Sequence, residues 1–172
     1  NFIMDLLHLS RNNRTALSVH EINFNNLLDE IFEELNYMEN SEKIRKEVKV
    51  NASAVFYNDD KRIAIVLKNL LSNAIKYSIT TYREASIKIF ININAIECKI
   101  IIVDNGIGIA QEHQEKIFDM FYRGTELSNG TGIGLHIVKE IMTKLNGKIS
   151  FESTFGEGST FHLIIPNLQL DN

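Results

Sequence analysis

Two hydrophobic periodicities, with a glycine-punctuated stretch between them, predict an α/β fold. The expected architecture is a two-layer sandwich, a mixed and mostly antiparallel sheet with helices on one face. Apolar residues recur at helical spacing in NNLLDEIFEELNYME, in the run from Asp59 to Lys76, and in IGLHIVKEIMTKLNG. ASIKIFININ, ECKIIIVD, KISFES and STFHLIIP instead alternate or run apolar over strand lengths. Neither period holds from Asn105 to Gly134, where glycines recur.

Each element has its own signal. Residues 1 to 17 carry Phe2, Ile3, Leu6, Leu7 and Leu9 near 3.6-residue spacing with no starting cap, and read as the end of a longer helix. VHEINF is extended and leads to Asn25, the expected N-cap of a helix whose Leu27, Leu28, Ile31, Phe32 and Leu35 share one face. IRKEVKV and AVFYN read as strands, and the acidic pair Asp59 and Asp60 suits the positive end of the next helix dipole. ASIKIFININ and ECKIIIVD are separated by a short connection and should pair antiparallel. A short helix around AQEHQEKIF and a loop at YRGTELSNGTG follow. The last helix is expected to close with Gly147 at its C′ position, before two final strands and a polar tail.

Composition narrows the function classes. The chain has 172 residues, 44% hydrophobic and 23% charged, which suits one soluble globular domain with a short appendage. No apolar run approaches the roughly 20 residues of a membrane span. Net charge is −4 with scattered basic residues, so there is no electrostatic footprint for nucleic acid or an anionic membrane surface. The single Cys98 has no disulfide partner and no zinc-ligand neighbours, fits a reducing compartment, and alternates with Ile100 and Ile102 as a small core residue. The chain opens at Asn1 in mid-pattern without a signal peptide, as expected of a fragment of a longer protein.

Four stretches carry chemistry. In NLLSNAIKYS and the two turns before it, the spacing puts Arg62, Asn69, Asn73 and Lys76 on one face of a helix, opposite Leu67, Leu71, Ala74 and Ile75. Such a stripe is either a solvated face or a ligand-binding one. Asparagine is a mediocre helix former, its amide oxygen suits Mg²⁺, and a neighbouring lysine suits phosphate oxygens. In DNGIGI, Gly106 and Gly108 free the backbone to approach a flat ligand, and Asp104 at the strand end can accept from an exocyclic amine. GTGIGL places Gly130, Gly132 and Gly134 before a helix N-terminus, an anion site, yet without the Gly-Lys-Ser/Thr ending of a P-loop. FGEGSTF reads as a hairpin turn. Taken singly, each is an ordinary structural pattern.

Standing together in the order NLLSNAIKYS, DNGIGI, IFDMFYRG, GTGIGL, GEGSTF, they resemble the catalytic and ATP-binding domain of the sensor histidine kinases, within the superfamily that also holds gyrase, the mismatch-repair ATPases and a heat-shock chaperone. The resemblance covers roughly residues 19 to 166. It implies a mobile ATP lid between Phe118 and Gly130, and ATP and Mg²⁺ as the ligands. It implies Asn73 as the Mg²⁺ ligand, Asn69 in support, Lys76 on the phosphates and Tyr77 against the nucleotide. Asp104 would read the adenine amino group while Gly106 and Gly108 let the loop close over the base. Phe118 and Phe121 match the F box, and Arg123 stands where some relatives place an arginine for the γ-phosphate. Gly130, Thr131, Gly132 and Gly134 match the second glycine box, and Thr160 is a candidate for a water-mediated adenine contact.

The same resemblance makes residues 1–18 the end of the second helix of a dimerisation and phosphoacceptor domain, 19–168 the catalytic domain, and 169–172 a tail. The acceptor histidine is expected upstream of Asn1. His20-Glu21 lies in an extended segment without the following proline, His8 is followed by Leu9, and His113, His136 and His162 lack metal-ligand spacing. Expected partners are the dimerisation and histidine phosphotransfer domain of the same protein and a response-regulator receiver domain. The full-length protein is expected to be a homodimer anchored in the inner membrane, with this part cytoplasmic. Rival readings are an ATP-driven clamp, against which IFDMFYRG and the short lid argue, and a degenerate module that only holds nucleotide.

Overall fold

The computed structural model describes residues 15–78, 83–124 and 131–168. The expected first helix, apart from its last residues, lies outside them, as do residues 125–130 of the expected lid, including Gly130, and the tail.

In chain order the elements are β1 (Val19–Glu21), α1 (Phe24–Leu35), β2 (Arg45–Ala52), β3 (Tyr57–Asp59), α2 (Asp60–Lys76), β4 (Ser86–Ile93), β5 (Glu97–Asp104), the single-turn α3 (Gln111–Gln114), α4 (Gly134–Lys144), β6 (Lys148–Thr154) and β7 (Gly158–Pro166). Five strands form one sheet in the order β2-β4-β5-β7-β6, antiparallel except for the parallel β2–β4 pair. β1 and β3 make a separate two-stranded antiparallel ribbon. Alternation along β4 and β5 sends Ile87, Ile89, Ile91, Ile93 and Cys98, Ile100, Ile102 to the face that α1, α2 and α4 cover, where all are buried. The expected mixed two-layer sheet is the architecture observed.

Three local expectations are corrected. The N-cap of α1 is Asn23, whose side chain accepts from the Asn26 N–H, and not Asn25, because Phe24 already belongs to the helix. At the end of α4 the left-handed residue is Asn146 (φ 52°), and Gly147 stands one place further on. The Gly147 N–H donates to the Met142 carbonyl at 2.8 Å and the Asn146 N–H to Thr143 at 3.1 Å, the paired bonds of a Schellman cap. Glycine is still needed at 147, because a Cβ there would lie 2.8 Å from the Ile164 carbonyl oxygen.

The third correction concerns Arg62. It is buried, 8% exposed, and leaves the polar stripe to form an ion pair with Asp59, the N-cap of α2. Its guanidinium also donates to the carbonyls of Thr15 and Ala16, while Asp59 accepts from the Ser18 N–H at 3.0 Å. Burial works against ionisation of Asp59. The N–H groups of Ser18 and Arg62 and the guanidinium outweigh it, and hold the carboxyl below the usual aspartate range. Arg62 thus ties the start of α2 to residues 15–18.

Candidate functional site

A cleft of about 760 Å³ opens between α2, the segment after β5 and the start of α4. Asn69, Asn73, Lys76 and Tyr77 line it from α2, Asp104 and Gly108 from the end of β5 and its loop, Arg123 from the segment before residue 125, and Thr131, Gly132 and Gly134 from the start of α4. Helical spacing brings the first set together, and the sheet register brings the second to meet it.

α2 is a 17-residue helix whose Ile63, Val66, Leu67, Leu70, Leu71, Ala74 and Ile75 are buried, which fixes its rotation and turns the polar side to the cleft. Asn69 donates its Nδ2 to the Ile65 carbonyl at 2.8 Å. A Cβ on Gly134 would lie 2.7 Å from Asn69 Oδ1, so glycine there lets the first turn of α4 approach α2 without displacing the Asn69 amide. Asn69 therefore stands against the second glycine box. Lys76 Nζ lies 5.1 Å from the Tyr77 ring centroid, a cation–π contact that keeps the ammonium over the cleft wall.

At the other end, Asp104 finishes β5 opposite Ser159 of β7. Burial pushes its carboxyl above the usual aspartate range, while the N–H groups of Gly106 and Ser159 and the charge of Arg83 pull it back in part. The Gly106 N–H donates to Asp104 Oδ1 at 2.8 Å, and the Arg83 guanidinium holds the Gly106 carbonyl at 2.7 Å. The loop is tied to α2, since the Ile107 N–H donates to the Tyr77 carbonyl at 3.0 Å. Gly108 is left-handed (φ 67°), and a Cβ there would meet the Thr154 carbonyl oxygen at 2.1 Å. No other residue fits without moving β6.

Not every expected residue reaches the cleft. Phe118 packs edge-on against Phe151, with centroids 5.8 Å apart and planes at 69°. Phe121 is left-handed (φ 66°), 55% exposed, and donates its N–H to the Gly132 carbonyl at 2.9 Å. Phe118 thus packs on β6, and Phe121 meets the second glycine box through its backbone. Thr160 pairs with Val103 and faces the opposite side of the sheet from Asp104, so the strand alternation that places Ser159 at the cleft removes Thr160 from it. Sequence reasoning missed Ser159, the apolar floor of Ile102, Ile107 and Phe161, and the rim residues Tyr37, His113 and Tyr122. For Ser159 the available signal was its register opposite Asp104. Among the described residues, no three His, Cys, Asp or Glu side chains come together as a metal site.

The family model described as histidine kinase-, DNA gyrase B- and HSP90-like ATPase matches residues 58–169. The chain belongs to this family. Within it, the chain is a histidine kinase ATP-binding domain, similar to cyanobacterial phytochrome B of Nostoc sp. (35% identity over 96% of this chain and 22% of that protein) and to the sensor protein kinase WalK of Staphylococcus haemolyticus (32%, over 99% and 29%). The fold matches the Acinetobacter baumannii histidine kinase AdeS with a TM-score of 0.76 at 26% identity, covering 97% of this chain and 77% of that one. It also matches full-length ShkA, solved in complex with AMPPNP, with a TM-score of 0.79 at 22% identity, over 95% and 35%. The chain spans from 20% to 44% of the length of these and other curated relatives.

Proposed function

We propose that the cleft binds Mg·ATP with adenine at the Asp104 end and phosphates between α2 and α4, and that the domain donates the γ-phosphate to a histidine outside residues 15–168. The observation that carries this reading is the single continuous cleft, which joins the Asp104 carboxylate to Asn73, Lys76, Arg123 and the N-terminus of α4. An ionised carboxylate accepts from the adenine amine by a charge-assisted hydrogen bond, and Ile102, Ile107 and Phe161 supply apolar surface for the base. Lys76, Arg123 and the freed N–H groups at the start of the 11-residue α4 then meet the phosphates.

The donor set fits a magnesium ion. Mg²⁺ keeps several waters and takes phosphate oxygens, so the amide oxygen of Asn73 is a sufficient protein ligand. When bound, the ion neutralises charge on the β- and γ-phosphates. The protein's own part is positioning and charge stabilisation. The acceptor imidazole nitrogen forms a bond to the γ-phosphorus as the bond from that phosphorus to the bridging β-phosphate oxygen breaks, and ADP leaves with the bonding electrons. Lys76 and Arg123 hold the oxygens on which charge accumulates.

His20 does not fit the acceptor role. It sits on β1 opposite Asn58, in extended backbone, with Nδ1 3.4 Å from Asp60. The partners that follow from the reading are a dimerisation and phosphotransfer domain of the same protein and a receiver domain, in a homodimeric full-length kinase. Among the described residues no helix is long and apolar enough to cross a membrane. A cytoplasmic position for this domain and an inner-membrane anchor elsewhere belong to the same proposal. Titration of the purified chain with an ATP analogue and Mg²⁺, wild type against Asn73→Ala, tests the phosphate end. A Mg²⁺-dependent gain in affinity should vanish in the variant, and its survival would refute the assignment. Stable labelling of His20 by radioactive ATP would overturn the external acceptor.

A further inference from the structure

The residue before Arg123 is held by a histidine, and the residue after it faces the same side chain. His113 Nδ1 lies 2.8 Å from the Tyr122 hydroxyl, and the two rings sit 6.0 Å apart at 57°. On the other side of the arginine, a Cβ added to Gly124 would stand 3.5 Å from Cβ, Cγ and Cδ2 of His113, so this glycine faces the same side chain with room for a methyl group between them. His113, Tyr122, Arg123 and Gly124 all line the cleft. The His113 side chain is 28% exposed, with Nε2 3.5 Å from the Glu112 carboxylate. α3 itself is one turn long, anchored by Gln114, which donates to the carbonyls of Ile109 and Ser153 at 3.0 Å each. A short helix fixed to β6 therefore presents an imidazole that holds the chain at position 122 and borders position 124.

We propose that His113 is a positioning residue for Arg123, setting the backbone from which the guanidinium reaches the γ-phosphate. The proposal rests on the reading of the cleft as an ATP site and deepens it. An arginine side chain loses much rotamer freedom when it engages a ligand, and pinning the residue before it lowers the backbone share of that cost beforehand. The grip is adaptable in its proton, since Tyr122 donates to Nδ1 in one tautomer and accepts from it in the other.

The test is a double-mutant cycle read as the preference for an ATP analogue over ADP, both with Mg²⁺, on the purified chain. Arg123→Ala should lower that preference, because only the γ-phosphate distinguishes the two ligands. His113→Ala and Tyr122→Phe should each lower it about two- to twelve-fold, the range of a single net hydrogen bond. His113→Asn, which keeps a polar atom near the Nδ1 position, should recover more than half of the loss. In the Arg123→Ala background, His113→Ala should add nothing. Additive losses in the cycle, or an unchanged preference in both His113→Ala and Tyr122→Phe, would overturn the proposal. Tyr122→Phe removes one oxygen atom and keeps the test valid if His113→Ala unfolds α3. If Arg123→Ala itself leaves the preference unchanged, the γ-phosphate role of Arg123 falls and this proposal with it. The nucleotide-site reading is then still judged separately by the loss in Asp104→Asn.

Discussion

Replacing Asp104 by asparagine should weaken nucleotide binding while shifting apo stability in a pH-dependent way, because the same burial underlies both effects. Oδ1 of Asp104 already accepts the Gly106 N–H at 2.8 Å. In the variant the amide oxygen takes that place and the NH₂ group then faces the adenine amine, donor against donor. A hydrogen bond to a charged group contributes about 1.5–3 kcal/mol net. At 1.4 kcal/mol per decade the ATP analogue should bind about 10- to 150-fold more weakly. For stability, burial raises the folded-state pKa of Asp104, so the folded protein holds this proton more tightly than the unfolded chain. Stability of the wild type therefore falls as pH rises from the ordinary aspartate range through the raised value, and the penalty remains above it. Asparagine does not titrate. Measured by thermal melting without nucleotide, the variant-minus-wild-type difference in Tm should move in the variant's favour across that window and level off above it. Isothermal titration gives the affinity. An affinity within two-fold of wild type, or a Tm difference moving the other way with pH, would refute the reasoning.

Other perturbations have equally definite outcomes. Arg62→Met leaves the Asp59 carboxylate buried without its cation and should cost about 3–5 kcal/mol in urea denaturation at neutral pH. Asp59 is held below the usual range, so its contribution is present above the ordinary aspartate value and lost as pH falls through the folded one; the variant's deficit should shrink in acid. Gly108→Ala forces a left-handed alanine whose Cβ stands 2.1 Å from the Thr154 carbonyl oxygen. Denaturation should show a loss of at least about 1–2 kcal/mol from backbone strain alone, and ATP-analogue affinity should fall as the loop shifts. Cys98 is fully buried and its thiol is pushed up to about 12 by that burial, so thiol reagents should modify it only once the protein is denatured.

The sequence discloses what period and local chemistry control. Leu67, Leu71 and Ile75 turn inward on α2 as their spacing requires, and Ile87 to Ile93 alternate as a strand buried on one face must. Asn73, Lys76 and Asp104 reach one cleft because each sits on an element whose hydrophobic face leaves it no other orientation. What escaped the sequence depends on contacts distant in the chain. The parallel pairing of β2 with β4 has no local signature, and neither does the burial of Arg62 against carbonyls some 46 residues earlier. Thr160 and Ser159 differ by one step of alternation, which is settled only once Asp104 is known to face Ser159. His113 stood out in the sequence only as lacking metal-ligand spacing, because its partner, Tyr122, lies nine residues away across a turn.

The Asp59–Arg62 junction has a mechanical meaning. Asp59 caps α2 and at the same time holds the Ser18 N–H, while Arg62 grips Thr15 and Ala16. The same helix, about 20 Å further along at 1.5 Å per residue, carries Asn73 and Lys76. The Asp59–Arg62 clamp on residues 15–18 and the Asn73–Lys76 wall of the cleft are therefore two ends of one rod. A displacement of residues 15–18 would act on that wall through a stiff member, without passing through the sheet.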